Sequence, residues 1–143
     1  MVALNYQSND QAMLLQSGLF SDNGGCGYVL KPPFLRNREK IFNPTKHFPT
    51  RRKQLTLKIL SAQHLPHAGE SSIADPYVKI NTYGVPRDCS ERRTPAVHNN
   101  GLNPLWNFSF RMTIHCPELC LLVLKIRDED RYSRSEFLGQ ACV

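Results

Sequence analysis

The stretch that follows Trp106 alternates without a break. Phe108, Phe110, Met112 and Ile114 take one parity, and Asn107, Ser109, Arg111, Thr113 and His115 take the other. Successive side chains of an extended strand point to opposite faces, so this segment belongs at the boundary of a core, one face dry and one wet. Leu55, Leu57 and Ile59 alternate with Thr56 and Lys58 in the same way. Further strands are expected over Tyr77 to Tyr83, Glu91 to Val97, Leu119 to Ile126 and Phe137 to Val143. Between them lie the turn signals Gly84-Val85-Pro86 and Asn99-Asn100-Gly101, at the spacing of a sandwich. Six strands of this kind pack most simply as an antiparallel β-sandwich.

The first third of the chain has a different grammar. Residues 1–5 read as a short buried strand, and Gln11 to Phe20 as a helix with Met13, Leu14 and Leu15 inward, opened by Asp10 as its N-cap. One strand and one helix cannot enclose a core, so this piece is expected to be the end of something larger. A turn at Asn23-Gly24-Gly25 leads to a second apolar stretch, Cys26 to Pro33, that stops at paired prolines. Residues 34–53 are basic and proline-containing, as suits an extended, solvated linker.

The acids of the sandwich are not scattered. Asp75, Asp128, Glu129, Asp130 and Glu136 all sit where a strand pattern gives way to a loop. Carboxylates projecting from adjacent loops of a rigid scaffold are the ligands a hard cation such as Ca²⁺ requires, six to eight oxygens in all. Two carboxylates roughly 5 Å apart repel by about 3 kcal/mol at an effective dielectric near 20, so such a cluster favours a cation. The alternative is that these acids serve turns by solvation and capping alone.

A formal net charge of +6 with the acids gathered in few places describes a basic body with an acidic tip. That arrangement suits an anionic membrane surface. Nucleic acid is disfavoured, because no recognition helix, zinc-finger spacing or aromatic-interleaved basic strand is present. Arg51-Arg52-Lys53, Arg36 with Arg38, and Arg92 with Arg93 are the candidate phosphate contacts, against the alternative of solvated faces. Neighbours on a strand face opposite ways, so at most one of Arg92 and Arg93 should join a patch with Lys79 or Arg111. The apolar run Leu119 to Leu124 is far short of the ~20 residues that cross a bilayer, so membrane contact is expected to be peripheral. No positively charged start or apolar signal core follows Met1, and the five cysteines, odd in number and without a Cys-x-x-Cys, suit reduced thiols. A cytoplasmic protein, peripheral at membranes, is the expectation. His47, His64, His67, His98 and His115 show no zinc-ligand spacing, and no nucleophile elbow or phosphate-cradling loop occurs.

Residues 1–33, with MVALNYQS and NGGCGYVLKP, closely resemble the end of the Y half of the catalytic barrel in phosphoinositide-specific phospholipase C. That family follows its barrel with a C2 domain, and this chain continues likewise. Ile73-Ala74-Asp75-Pro76-Tyr77-Val78 resembles the first calcium-loop motif. Asn99-Asn100-Gly101-Leu102-Asn103-Pro104 with Trp106, then Asp128-Glu129-Asp130 and Phe137-Leu138-Gly139-Gln140, complete the pattern. The delta and eta types are the nearest.

The resemblance implies a mainly β fold: a C2-like antiparallel β-sandwich, truncated to about six of eight strands, preceded by the last strand and helix of a TIM barrel. The implied divisions are a barrel remnant over 1–33, a linker over 34–53 and a C2 domain over 54–143. A sandwich short of two strands would leave open edges and self-associate. The resemblance also implies a parent enzyme that hydrolyses phosphatidylinositol 4,5-bisphosphate to diacylglycerol and inositol trisphosphate in signalling. Its catalytic histidines belong to the family's X half, so no catalytic residue carries over and the segment alone is expected to be inactive. The implied partners are anionic phospholipid membranes, phosphoinositides and the remainder of the barrel. The implied Ca²⁺ ligands are the side chains of Asp75, Asp128, Asp130 and Asn99 and the main-chain carbonyls of Ile73 and Glu129, with Glu136 where many C2 domains carry a further acid. One departure stands in the first loop, where the acid common six residues before Asp75 is replaced by Gly69 beside Glu70. A catalytically inactive phospholipase C-like scaffold, or a C2 domain that binds only proteins, would share these features.

Overall fold

The computed structural model describes residues 4–8, 10–46, 48, 51–66, 73–129 and 135–143. Among the described residues, six strands form two antiparallel sheets. In the first, β1 (Lys53–Ser61) pairs with β4 (Leu105–Ile114). In the second, β2 (Pro76–Tyr83), β3 (Ser90–Arg93), β5 (Leu121–Asp128) and β6 (Phe137–Cys142) run in the order β3-β2-β5-β6. The alternation of β1 and β4 becomes packing here. Ile59 and Phe110 meet Val78 and Ile80 from the facing sheet, with Leu57, Trp106, Met112, Leu124 and Ile126 around them. Burying a side chain of this size contributes about 1.5 to 3 kcal/mol, so this interface carries the fold.

Two strand expectations are corrected by proline. The third strand ends at Arg93 and not at Val97, because Pro95 has no N–H for a ladder and Thr94 turns inward. Thr94 is 1% exposed; its Oγ1 accepts from the Val78 amide at 2.9 Å, and its own N–H donates to Val78 O at 2.9 Å. The fifth strand begins at Leu121 and not at Leu119, because Pro117 starts a 3₁₀ turn, Pro117–Leu119. The strand therefore runs two residues further, and Asp128 is its last residue instead of a loop residue.

The helix α1 (Gln11–Ser21) is capped as expected, with Asp10 Oδ1 accepting from Met13 N at 2.9 Å. Met13, Leu14 and Leu15 are half-buried, but the deepest point is Gly18, packed directly on Cys142 of β6. Contact with β5 and β6 is how the helix joins the sandwich. Of the strand expected over 1–5, Leu4 and Asn5 form no strand and the rest lies outside the described residues. The stretch Cys26 to Pro33 forms no strand either, leaving Tyr28 and Leu30 exposed. The linker is not wholly extended: Pro33–Arg36 makes one helical turn, α2.

At the end of the sandwich away from the acidic loops, one carboxylate ties the two sheets together. Asp88, 3% exposed, ends the short 3₁₀ turn Pro86–Asp88 after β2. Its Oδ1 accepts from His115 N and faces His115 Nδ1, both at 2.8 Å, and its Oδ2 accepts from Cys116 N at 2.8 Å.

Candidate functional site

Pro76 and Asp128 are register partners at the ends of β2 and β5. That register brings together the two acids that sequence reasoning places first. Asp75 N donates to Asp128 Oδ1 at 2.6 Å, and Glu129 N donates back to Asp75 O at 3.0 Å. Asp128 is 8% exposed, so its charge is held largely out of water. The Asp75 carboxylate is met by the next loop. Asn99 N donates to its Oδ1 at 2.7 Å, and His98 Nδ1 stands 3.0 Å from its Oδ2. Asn99 takes a φ of 54°, which asparagine tolerates better than most residues, and that turn aims its amide at Asp75. Gly101 lies against Ala74, where an added Cβ would stand 3.2 Å from the alanine methyl and hold the loops apart.

The remaining expected ligands divide. Glu129 turns its carboxylate to Arg93, at 3.0 Å, and Arg93 in turn lies 5.4 Å from the centre of the Tyr77 ring. The Glu136 side chain is exposed, while its carbonyl accepts from Asp128 N at 3.0 Å and so anchors β5. Ile73 is exposed at the tip. Asp130, Gly69 and Glu70 lie outside the described residues. Among the described residues no group of three or more His, Cys, Asp or Glu side chains is arranged to hold a metal. The described residues bring two carboxylates to one place, with the Asn99 N–H on one of them, and carboxylate oxygens are the hard ligands that Ca²⁺ takes.

The comparisons with known proteins bear on this arrangement. The C2 domain family matches residues 53–143. The chain belongs to that family. Residues 1–34 match the phosphatidylinositol-specific phospholipase C Y domain. Over 98% of its length the chain is 42% identical to 1-phosphatidylinositol 4,5-bisphosphate phosphodiesterase delta-4 of Xenopus laevis, and over 99% it is 40% identical to the delta-1 enzyme of Homo sapiens. It is 41% identical over 98% of its length to the eta-2 enzyme of Mus musculus. The chain spans 19% of the first two relatives and 10% of the third. Among solved structures, human GIVD cytosolic phospholipase A2 in complex with methyl gamma-linolenyl fluorophosphonate aligns with 65% of this chain and 14% of its own, at a TM-score of 0.57 and 28% identity. A C2 domain of plant Extended Synaptotagmin 1 aligns with 63% of this chain and 66% of its own, at a TM-score of 0.56 and 26% identity.

Two contacts of the acidic tip, His98 with Asp75 and Arg93 with Glu129, escape the sequence reading. His98 precedes Asn99 in the same loop, and that adjacency was its one signal. Arg93 reaches Glu129 across 36 residues of sequence, and only the strand register reveals it. Arg92 and Arg93 do take opposite faces: Arg93 pairs in register with Lys79, while Arg92 lines a cleft with Arg111.

Proposed function

We propose that the chain is part of a phosphoinositide phosphodiesterase of the delta or eta kind, acting on phosphatidylinositol 4,5-bisphosphate to give diacylglycerol and inositol trisphosphate. Within it, residues 54–143 dock the enzyme on anionic phospholipid with the help of Ca²⁺, residues 34–53 link, and residues 1–33 complete the barrel. The reading rests on one observation, the meeting of Asp75 and Asp128 at the end of the β2–β5 pair, linked by a 2.6 Å hydrogen bond. Asp75, Asp128 and Asp130 would hold the cation with the Asn99 side chain and the Ile73 and Glu129 carbonyls, Glu136 standing at the rim. Bound Ca²⁺ cancels the repulsion of these acids and turns a negative tip into one that attracts lipid phosphate. The chain's own part is to fix the two carboxylates on rigid strand ends and to support them with the Asn99 amide. Among the described residues no helix is long and apolar enough to cross a membrane. A peripheral, cytoplasmic site of action follows from this reading. The His98 contact on Asp75 favours one rival, a calcium-independent protein-binding module.

Calorimetry separates them. Asp128→Asn keeps an oxygen to accept from Asp75 N, so the fold should survive while Ca²⁺ affinity drops by at least about tenfold. Wild-type chain should cosediment with phosphatidylserine vesicles only with Ca²⁺, and less so as salt rises. Equal calcium affinity in the two proteins would overturn the ligand assignment.

A further inference from the structure

A second charged site lies at the open edge between the sheets, where β3 faces β4. Arg87, Arg92 and Arg111 come from three separate elements to line one cavity of about 320 Å³, with Ser90, Thr113 and Gln54 completing its polar wall. Arg92 stands on β3 opposite Ile80, a core residue, so it leans toward the gap between the sheets and away from the face that carries Lys79 and Glu91. We propose that this cleft binds a small, soluble, phosphate-bearing anion.

Positive charge predominates in this cleft, with three guanidinium groups against the one carboxylate of Asp88. Among the described residues none of the three arginines forms an ion pair with a carboxylate. Arg92 donates to the neighbouring Glu91 carbonyl, and Arg87 lies 6.0 Å from the centre of the Phe48 ring. Asp88 borders the same cavity and offsets one of the three positive charges, while its oxygens are engaged by His115 and Cys116. Glu91 is held on the other face by Lys79 at 2.9 Å and Asn81 at 3.0 Å. Gln54 donates to Thr113 Oγ1 at 3.0 Å and Ser90 Oγ lies 2.9 Å from Thr82 Oγ1, so the three guanidinium groups are the groups that would meet the oxygens of a phosphate. Arginine forks suit that geometry better than point charges do.

Position selects the source of the phosphate. Counted along β2 from Pro76, the cleft is set back from the acidic tip by four to eight residues, roughly 13 to 25 Å. If the tip meets the membrane, as proposed above, lipid headgroups do not reach the arginines and a dissolved anion does. A purely protective role, in which inward charge on the edge strand β3 repels strand addition, would be served equally by lysine. That difference is testable.

The probe is tripolyphosphate, titrated calorimetrically into the full chain in calcium-free buffer at about 0.15 M salt, where the Debye length is ~8 Å and loose attraction is screened. The variant Arg87→Gln/Arg92→Gln/Arg111→Gln should bind at least about tenfold more weakly, and Arg→Lys at the same positions should lose most of that affinity despite equal charge. Lys40→Gln/Lys46→Gln, which removes positive charge from the linker alone, should stay within about twofold of wild type. If thermal melts show the triple glutamine variant unfolded, Arg111→Gln alone gives the reading, since Arg111 lies on the solvent parity of β4. Calcium-free vesicles of phosphatidylcholine and phosphatidylserine should not displace the probe. The proposal is overturned if the cleft and linker variants weaken binding alike, if the lysine variant binds as wild type does, or if vesicles compete through the same arginines.

Discussion

Burial pushes the Cys120 thiol up to about 11, with the charge on Asp88 and the neighbouring Cys89 and Cys116 adding to it. The folded chain thus holds this proton more tightly than the unfolded one does. The stability so gained is complete below the ordinary thiol pKa near 8.5 and fades as pH climbs through about 11. Burial also raises Tyr83 and Cys142, which act in the same direction. Urea unfolding should therefore show stability falling between about pH 9 and pH 11, and Cys120→Ala should flatten that slope in part. An identical slope in the variant would refute the assignment to Cys120. Single side chains of this kind are poorly legible in sequence. Asp75 and Asp128 could be found because strand patterns end beside them, whereas the partners of Cys120, Asp88 and Arg93 are set by strands that meet only after folding.

At the level of elements, local chemistry is a good guide wherever it acts within a few residues. Asp10 caps α1, and the parity of Leu55 to Ile59 and Phe108 to Ile114 sets which faces meet. Strand ends depart from expectation where a proline makes the decision, at Pro95 and Pro117, since apolar parity continues past the point where the ladder stops. The docking of α1 is not legible at all, for Gly18 gives no hint of a contact made more than a hundred residues away. A Cβ at that position would overlap Cys142 Sγ and stand 2.8 Å from its Cβ. Rotating the thiol cannot relieve the second contact, so helix or strand must shift. Gly18→Val should cost about 1 to 3 kcal/mol and expose Cys142 to thiol reagents. Cys142→Ala should recover part of the loss in urea melts; unchanged Cys142 labelling in Gly18→Val would mean that the helix does not cover it.

Over the whole molecule, the sandwich class and its acidic tip are readable because both are written as repeated patterns, while the cleft arginines and the joint between helix and sheet arise only from topology. The Asp88 clasp belongs to this last kind, and it has a consequence in time. The His115 and Cys116 amides are sealed against one buried carboxylate that belongs to the other sheet. Water reaches them only when the β1–β4 ribbon lifts away from its neighbour, so their deuterium uptake should track complete opening of the protein and lag behind that of other chain turns. Asp88→Asn presents a donor to one of those donors, costing about 1 to 3 kcal/mol. Exchange at both amides should then run ahead of the β2–β5 ladder. A single carboxylate would thereby decide whether the two layers come apart together or one after the other.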